Sequence, residues 1–191
     1  MSFFKRLFSG NKKGNPSGEE IPVNGIITEE HMKNWYTRDD IDPAMLEGCL
    51  KMVESYFLDN KLEWNKDFPV NHPENLDKTV DEGFGFRMYC KAFQLEEAQA
   101  TLFLALAFSN YLINEYGFVL YKDKEPEYPL RGMTLKYDRN GVLLSLYPFE
   151  YASKVLDYEG SFTSMNSKLA EALQQMPDKE EIMKNFLPKT D

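Results

Sequence analysis

The run LFLALAF, Leu102 to Phe108, carries no polar side chain on any face. It lies inside LEEAQATLFLALAFSNYLINEYG, and the stretch from about Leu95 to Tyr116 has the marks of a helix. Glu96 and Glu97 stand at its start, and Gly117 sits where a left-handed cap belongs. A helix that is apolar all round is buried, either inside a protein or in a membrane. The apolar run is far shorter than the ~20 residues that a membrane span needs. The segment therefore reads as a central core helix, which other elements must surround on every side.

Those elements are legible on both flanks. Asp42 is an N-cap and Pro43 fits the first helical position. Met45, Leu46, Cys49, Leu50, Val53, Tyr56 and Phe57 then recur at helical spacing to about Leu58. A shorter helix is expected from Thr28 to about Trp35. The stretch NKLEWNKDFPVNHPENL, broken by Pro69 and Pro73, reads as a long loop. A helix is expected over Leu76 to Phe93, with EGFGF as its weak point. Gly83 and Gly85 each cost a helix roughly 1 kcal/mol against Ala. Either the helix breaks there, or the glycines let another element approach closely.

After Gly117 the period changes from helical to alternating. FVLYK is a strand and KDKEPEYP a polar turn. RGMTLKYD sets Met133, Leu135 and Tyr137 against Thr134 and Lys136, as in a half-buried strand. Asn140-Gly141 suits a hairpin turn, and VLLSLYP is its partner strand. This predicts a three-stranded antiparallel meander packed on the central helix, since so small a sheet needs support. PFEYASKVLD then forms a short helix. Ser161 or Thr163 caps a longer one, with Met165, Leu169, Ala172, Leu173 and Met176 facing inward and Pro177 as its stop. DKEEIMKNFLP is a last amphipathic turn or two. The fold class is α+β and mainly helical. Residues 1–25 read as a flexible basic-apolar tail and linker, and residues 26–191 as a single globular domain.

Charge narrows the partners. The net charge is −9, yet the first fourteen residues hold Lys5, Arg6, Lys12 and Lys13 and no acid. All 31 acidic residues lie in the remainder. Such a body repels phosphate backbones, and no basic stripe follows residue 14, so no nucleic acid is expected. The two cysteines, Cys49 and Cys90, fall among apolar neighbours and read as free buried thiols in a reducing compartment. No apolar stretch of secretory length follows the first basic residues, and Ser2 does not fit the myristoylation pattern. A cytoplasmic protein is expected, with the inner membrane face as a peripheral location.

Candidate chemistry is sparse. His31, His72, Cys49 and Cys90 show no metal-ligand spacing, so no metal is expected. No cofactor motif occurs. EGFGF lacks the counter-charge of a phosphate loop, because Asp81 and Glu82 precede it. The carboxylate pairs fit helix starts and solvated faces. One pocket is conceivable around His72, Arg87, Tyr89 and Cys90. Arg87 and Lys91 lie near Cys90 and would lower its thiol pKa; packing is the simpler role for that cysteine.

From Leu102 to Leu173 the order of elements, with Gly117, Pro148-Phe149, Val155, Leu156, Gly160 and Ser164, resembles a bacterial domain of unknown function catalogued as family 3806. The resemblance implies a small bacterial, cytoplasmic α+β protein. It carries no assigned reaction and no catalytic residues.

MSFFKRLFSGNKKG remains. On a helix, Phe3, Phe4, Leu7 and Phe8 fall on one side, and Lys5 and Arg6 fall on the other. That pattern suits weak contact with an anionic membrane surface, docking to a protein partner, or a tail that is inert or folds onto its own body. Full burial of the four apolar side chains is worth at most ~6–12 kcal/mol, and so short a helix must be ordered on binding. Two functions follow. One is a non-enzymatic interaction protein, an adaptor or immunity-type binder of a protein partner. The other is a small enzyme with a pocket that no motif announces. Removal of residues 1–14 is expected to leave the melting temperature unchanged in calorimetry. A large loss would mean that FFKRLF docks on its own body.

Overall fold

The structure, a computed structural model, describes residues 33–139 and 142–177. The opening stretch through His31, the Asn140-Gly141 turn and the final DKEEIMKNFLP turn lie outside the described residues. So do residues 28–32 of the expected first helix; residues 33–35 are helical.

Strand β1 (Tyr36–Arg38) precedes four helices: α1 (Pro43–Asp59), α2 (Pro73–Asp81), α3 (Phe86–Ala92) and α4 (Glu97–Tyr116). Strand β2 (Val119–Asp123), a 3-10 turn (Pro129–Arg131), β3 (Met133–Arg139) and β4 (Val142–Leu146) follow. Helices α5 (Pro148–Leu156) and α6 (Phe162–Gln175) complete the order. The class is α+β, as expected. The sheet has four antiparallel strands in the order β1-β2-β3-β4, where three were expected. The extra strand, YTR, is too short to show alternation and is held from outside. Tyr36 pairs with Asp123 and Arg38 with Tyr121.

Helix α4 is the hub. Leu104, Ala105, Leu106, Ala107, Phe108 and Ser109 are consecutive and all buried. Ser109 resolves its burial locally by donating to the Ala105 carbonyl (2.7 Å). The helix opens with Gln99 accepting from the Glu96 N–H (2.8 Å) and ends at Gly117, φ +78°. Helices α1, α3 and α5 and strand β2 pack on it. Phe108 meets Phe162 of α6 at 4.9 Å between ring centres. Among the described residues seven aromatic rings are fully buried: Tyr56, Phe57, Phe86, Phe108, Phe118, Phe149 and Phe162. Each such burial contributes about 2–3 kcal/mol. One core cluster runs from Cys49 to Met176.

The caps fall where the local chemistry puts them. Asp42 Oδ1 accepts from Met45 N (2.8 Å), and Ser161 Oγ accepts from Ser164 N (3.1 Å). Helix α6 has a second cap from far away. Asp77 of α2 accepts from the N–H groups of Phe162 (2.6 Å) and Thr163 (2.9 Å), tying two helices that are distant in sequence.

The expected helix over Leu76 to Phe93 breaks in two at EGFGF, and the reason is contact with α1. Buried Tyr56 donates its hydroxyl to the Glu82 carbonyl and accepts from Gly85 N–H (3.1 Å). Gly83 has φ +72°, and a Cβ built on it would lie 2.7 Å from the Tyr56 hydroxyl. Both properties of glycine are needed there, the left-handed backbone and the missing side chain.

The two faces of the sheet also differ from expectation. Leu135 lies on the buried face as expected, and Leu120, Leu144 and Leu146 share that face. Thr134 and Lys136, expected on the wet side, are 0% and 4% exposed. The opposite face is therefore covered too, in part by the ring of Tyr36 from the unexpected strand.

Gly83→Ala is expected to destabilise the chain by about 2–4 kcal/mol, the sum of a left-handed penalty and the clash. Tyr56→Phe costs about 1–3 kcal/mol through unpaired groups on the loop. In the double variant the Gly83→Ala cost falls, because the hydroxyl it strikes is gone. Urea unfolding of the four chains measures this coupling.

Candidate functional site

The loop pinned by Tyr56 leads directly into α3, so a buried hydroxyl sets where that short helix points. Its inward face is Phe86, Tyr89 and Cys90. Tyr89 packs edge-on against Tyr56 at 5.2 Å and donates its hydroxyl to Asp59 Oδ2 (2.5 Å). Burial, and then the Asp59 charge, push the Tyr89 phenol well above its ordinary range. It is a fixed hydrogen-bond donor and not an acid at neutral pH.

The outward face is also apolar. Phe84 is 53% exposed, Met88 54% and Phe93 55%, and Tyr158, at the end of α5, is 72% exposed. Phe84 and Phe93 share Tyr89 as a neighbour, and Met88 precedes it on α3. Tyr89 touches Phe84 (6.2 Å between ring centres) on one side and Phe93 (5.0 Å) on the other. The Tyr158 hydroxyl lies against Gly85. Arg87 anchors the α5 end to α3 through Asp157 (2.7 Å) and also pairs with Glu97 (3.1 Å). The patch thus stands on a rigid base, and acids outnumber bases around it. Grouped exposed apolar side chains of this size mark interaction surfaces.

Gln94 (φ +59°) and Tyr158 (φ +60°), like Lys61 (φ +55°) after α1, are left-handed without being glycine. Each follows the last residue of a helix by two, where glycine is the usual choice. Gln94 turns the chain just after α3, and Phe93, the C-cap, packs one side on Tyr89 while the rest is exposed.

The four residues named from sequence for a pocket do not converge. His72 caps α2 by accepting from Glu74 N (3.3 Å). Its ring stacks on Phe68 (4.0 Å) and meets Tyr111 edge-on (5.2 Å). Arg87, Tyr89 and Cys90 share α3, and their described partners are Asp157, Glu97, Asp59 and the Tyr56 cluster; none is a partner of His72. Cys90 is fully buried, and burial pushes its thiol up to about 12. The lowering expected from Arg87 and Lys91 is not found, because burial of the thiol dominates. Cys49 is likewise buried and raised to about 12. Among the described residues no group of three or more His, Cys, Asp or Glu is placed to hold a metal, and no helix is long and apolar enough to cross a membrane. Phe3, Phe4, Lys5, Arg6, Leu7 and Phe8 lie outside the described residues.

Comparison with protein-family models, with curated proteins and with solved structures finds no match. The surface therefore has to be interpreted from its own chemistry.

His72 supplies a pH test of its packing. Burial lowers its pKa below the ordinary 6.5, with Glu74 and Glu115 pulling the other way. A lowered folded pKa means that its contribution is present above about pH 6.5 and is lost as pH falls through the folded value. His72→Asn keeps a capping oxygen and removes the titration. The fall in melting temperature between pH 8 and pH 5 is expected to be smaller in that variant.

Proposed function

We propose that this chain is a non-enzymatic interaction protein, an adaptor or immunity-type binder, and that it presents the α3 face to a protein partner. The observation that carries this is the set of large apolar side chains exposed on and around α3, Phe84, Met88, Phe93 and Tyr158, each half or more exposed, about a base held by Tyr56, Tyr89 and Arg87. A rigid aromatic patch loses little side-chain entropy on binding, and such residues are frequent anchors of interfaces. The partner's contact surface is apolar, and the chain's net charge of −9 favours basic groups around it. Complementary charge of this kind speeds encounter and rejects acidic competitors.

An enzyme using His72, Arg87, Tyr89 and Cys90 is the less favoured reading. It would need a thiolate where burial holds the thiol near 12, and a histidine whose ring is occupied by Phe68 and Tyr111. The resemblance of residues 102–173 to a bacterial family without an assigned reaction does not choose between the two.

The test uses the full chain with a C-terminal tag, isolated from its native cell beside a Phe84→Ser/Phe93→Ser variant. Both phenylalanines are on the surface, so the melting temperature is expected to stay within a few degrees. A protein recovered with the wild type is expected to bind the variant at least about tenfold more weakly when purified and titrated, the equivalent of ~1.4 kcal/mol or more. Equal affinity for both chains would refute the α3 face as the binding surface.

A further inference from the structure

We propose that the sheet face turned away from the helices is a binding site for a small oxyanion, a carboxylate or a phosphate, held by Lys136 with Thr134 as second donor. This site shares no residue with the α3 face and does not depend on it.

Strand register builds the site. Thr134 stands opposite Tyr121, and Lys136 stands between Val119 and Ser145. Thr134 and Lys136, two apart on β3, point to one face. Tyr147 follows the Leu135–Leu146 pair by one residue and joins that face.

Lys136 is 4% exposed. Its Nζ donates to Ser145 Oγ (3.2 Å) and lies 3.9 Å from the centre of the Tyr36 ring. An ammonium has three N–H donors. Among the described residues it makes that one hydrogen bond and no ion pair. Asp123 attracts it through space, but Asp123 Oδ1 already accepts from Glu125 N (2.9 Å). Burial outweighs this attraction and pushes the lysine down to about 8. The charge is thus buried with incomplete compensation, which is costly unless something supplies oxygens.

Thr134 has the matching deficit. It is 0% exposed, and its Oγ1 has no hydrogen-bond partner among the described residues. Buried hydroxyls are seldom left so. Two donors with spare capacity on adjacent positions of one face, walled by aromatic rings, suit a ligand that offers several acceptor oxygens and no donor.

The wall is braced from outside. Arg131 lies 5.1 Å from the centre of the Tyr147 ring and 5.3 Å from that of Tyr128. Its Nε is paired with Glu150 (2.5 Å), so it fixes Tyr147 and brings no free charge. The depth of Lys136 excludes a macromolecular ligand and limits the occupant to a small one.

Thermal unfolding of the full chain tests the assignment. Inorganic phosphate and acetate are each compared with chloride at equal ionic strength, in the wild type, Lys136→Met and Thr134→Val. A general salting effect appears in all three chains and is subtracted. The expected result is a saturable rise for the wild type, about 3–6 °C at ten times the dissociation constant. The rise is absent in Lys136→Met and cut by about half or more in Thr134→Val. Which anion gives it separates a carboxylate from a phosphate ligand. No anion-specific rise in the wild type, or an equal rise in Thr134→Val, overturns the site, and the second arm stands even if Lys136→Met fails to fold. Without anion, Thr134→Val is expected to be no less stable than the wild type. A clear loss there would mean that the hydroxyl has a partner within the protein, and would remove Thr134 from the site.

Discussion

A helix with no wet side has to be enclosed, and the enclosure of α4 organises everything described above. Six consecutive buried residues from Leu104 to Ser109 leave no sector free for solvent. Helices α1, α3 and α5 and strand β2 each take one. The small sheet gains from this as much as it gives. Three or four short strands are marginal alone, and their leucine face is completed only by the helical layer. Polar groups against α4 are paired from near and far: Ser109 donates to the carbonyl one turn back, and Asn71, from the loop before α2, donates to the Ala107 carbonyl.

From that hub, one hydroxyl transmits position to the surface. Tyr56 is buried at the end of α1, yet it holds both ends of the glycine loop that starts α3. Tyr89 packs on Tyr56 and in turn separates and supports Phe84 and Phe93. The exposed patch is therefore an extension of the core, built on the same aromatic stack. Rigidity of this kind matters for binding, since side chains already ordered lose little on association. The two left-handed non-glycine residues beside the patch, Gln94 and Tyr158, carry local strain that the surrounding packing sustains.

Much of the fold was legible because its signals are local. Asp42-Pro43, Gly117, Pro148, Ser161 and Pro177 each act through their own backbone and neighbours within a few residues, and each element they bound is present. β1 was not legible, since three residues cannot display a period and their partner is some eighty residues away. The four residues named for a pocket take separate partners for a related reason. Arg87, Tyr89 and Cys90 are neighbours in sequence and share a helix, but His72 is turned to Phe68 and Tyr111.

The sequence by itself determined that α4 is buried, that helices flank an antiparallel sheet, and where most caps and breaks fall. These follow from side-chain period and backbone preference, which operate over a few residues. Tertiary structure alone decided that EGFGF yields to Tyr56, that Asp77 caps α6, and that Phe84 and Phe93 both pack on Tyr89 while staying exposed. It alone put Lys136 and Thr134 under an aromatic cover. Each of these outcomes depends on which distant group arrives within hydrogen-bond or van der Waals range, and no local pattern encodes that meeting.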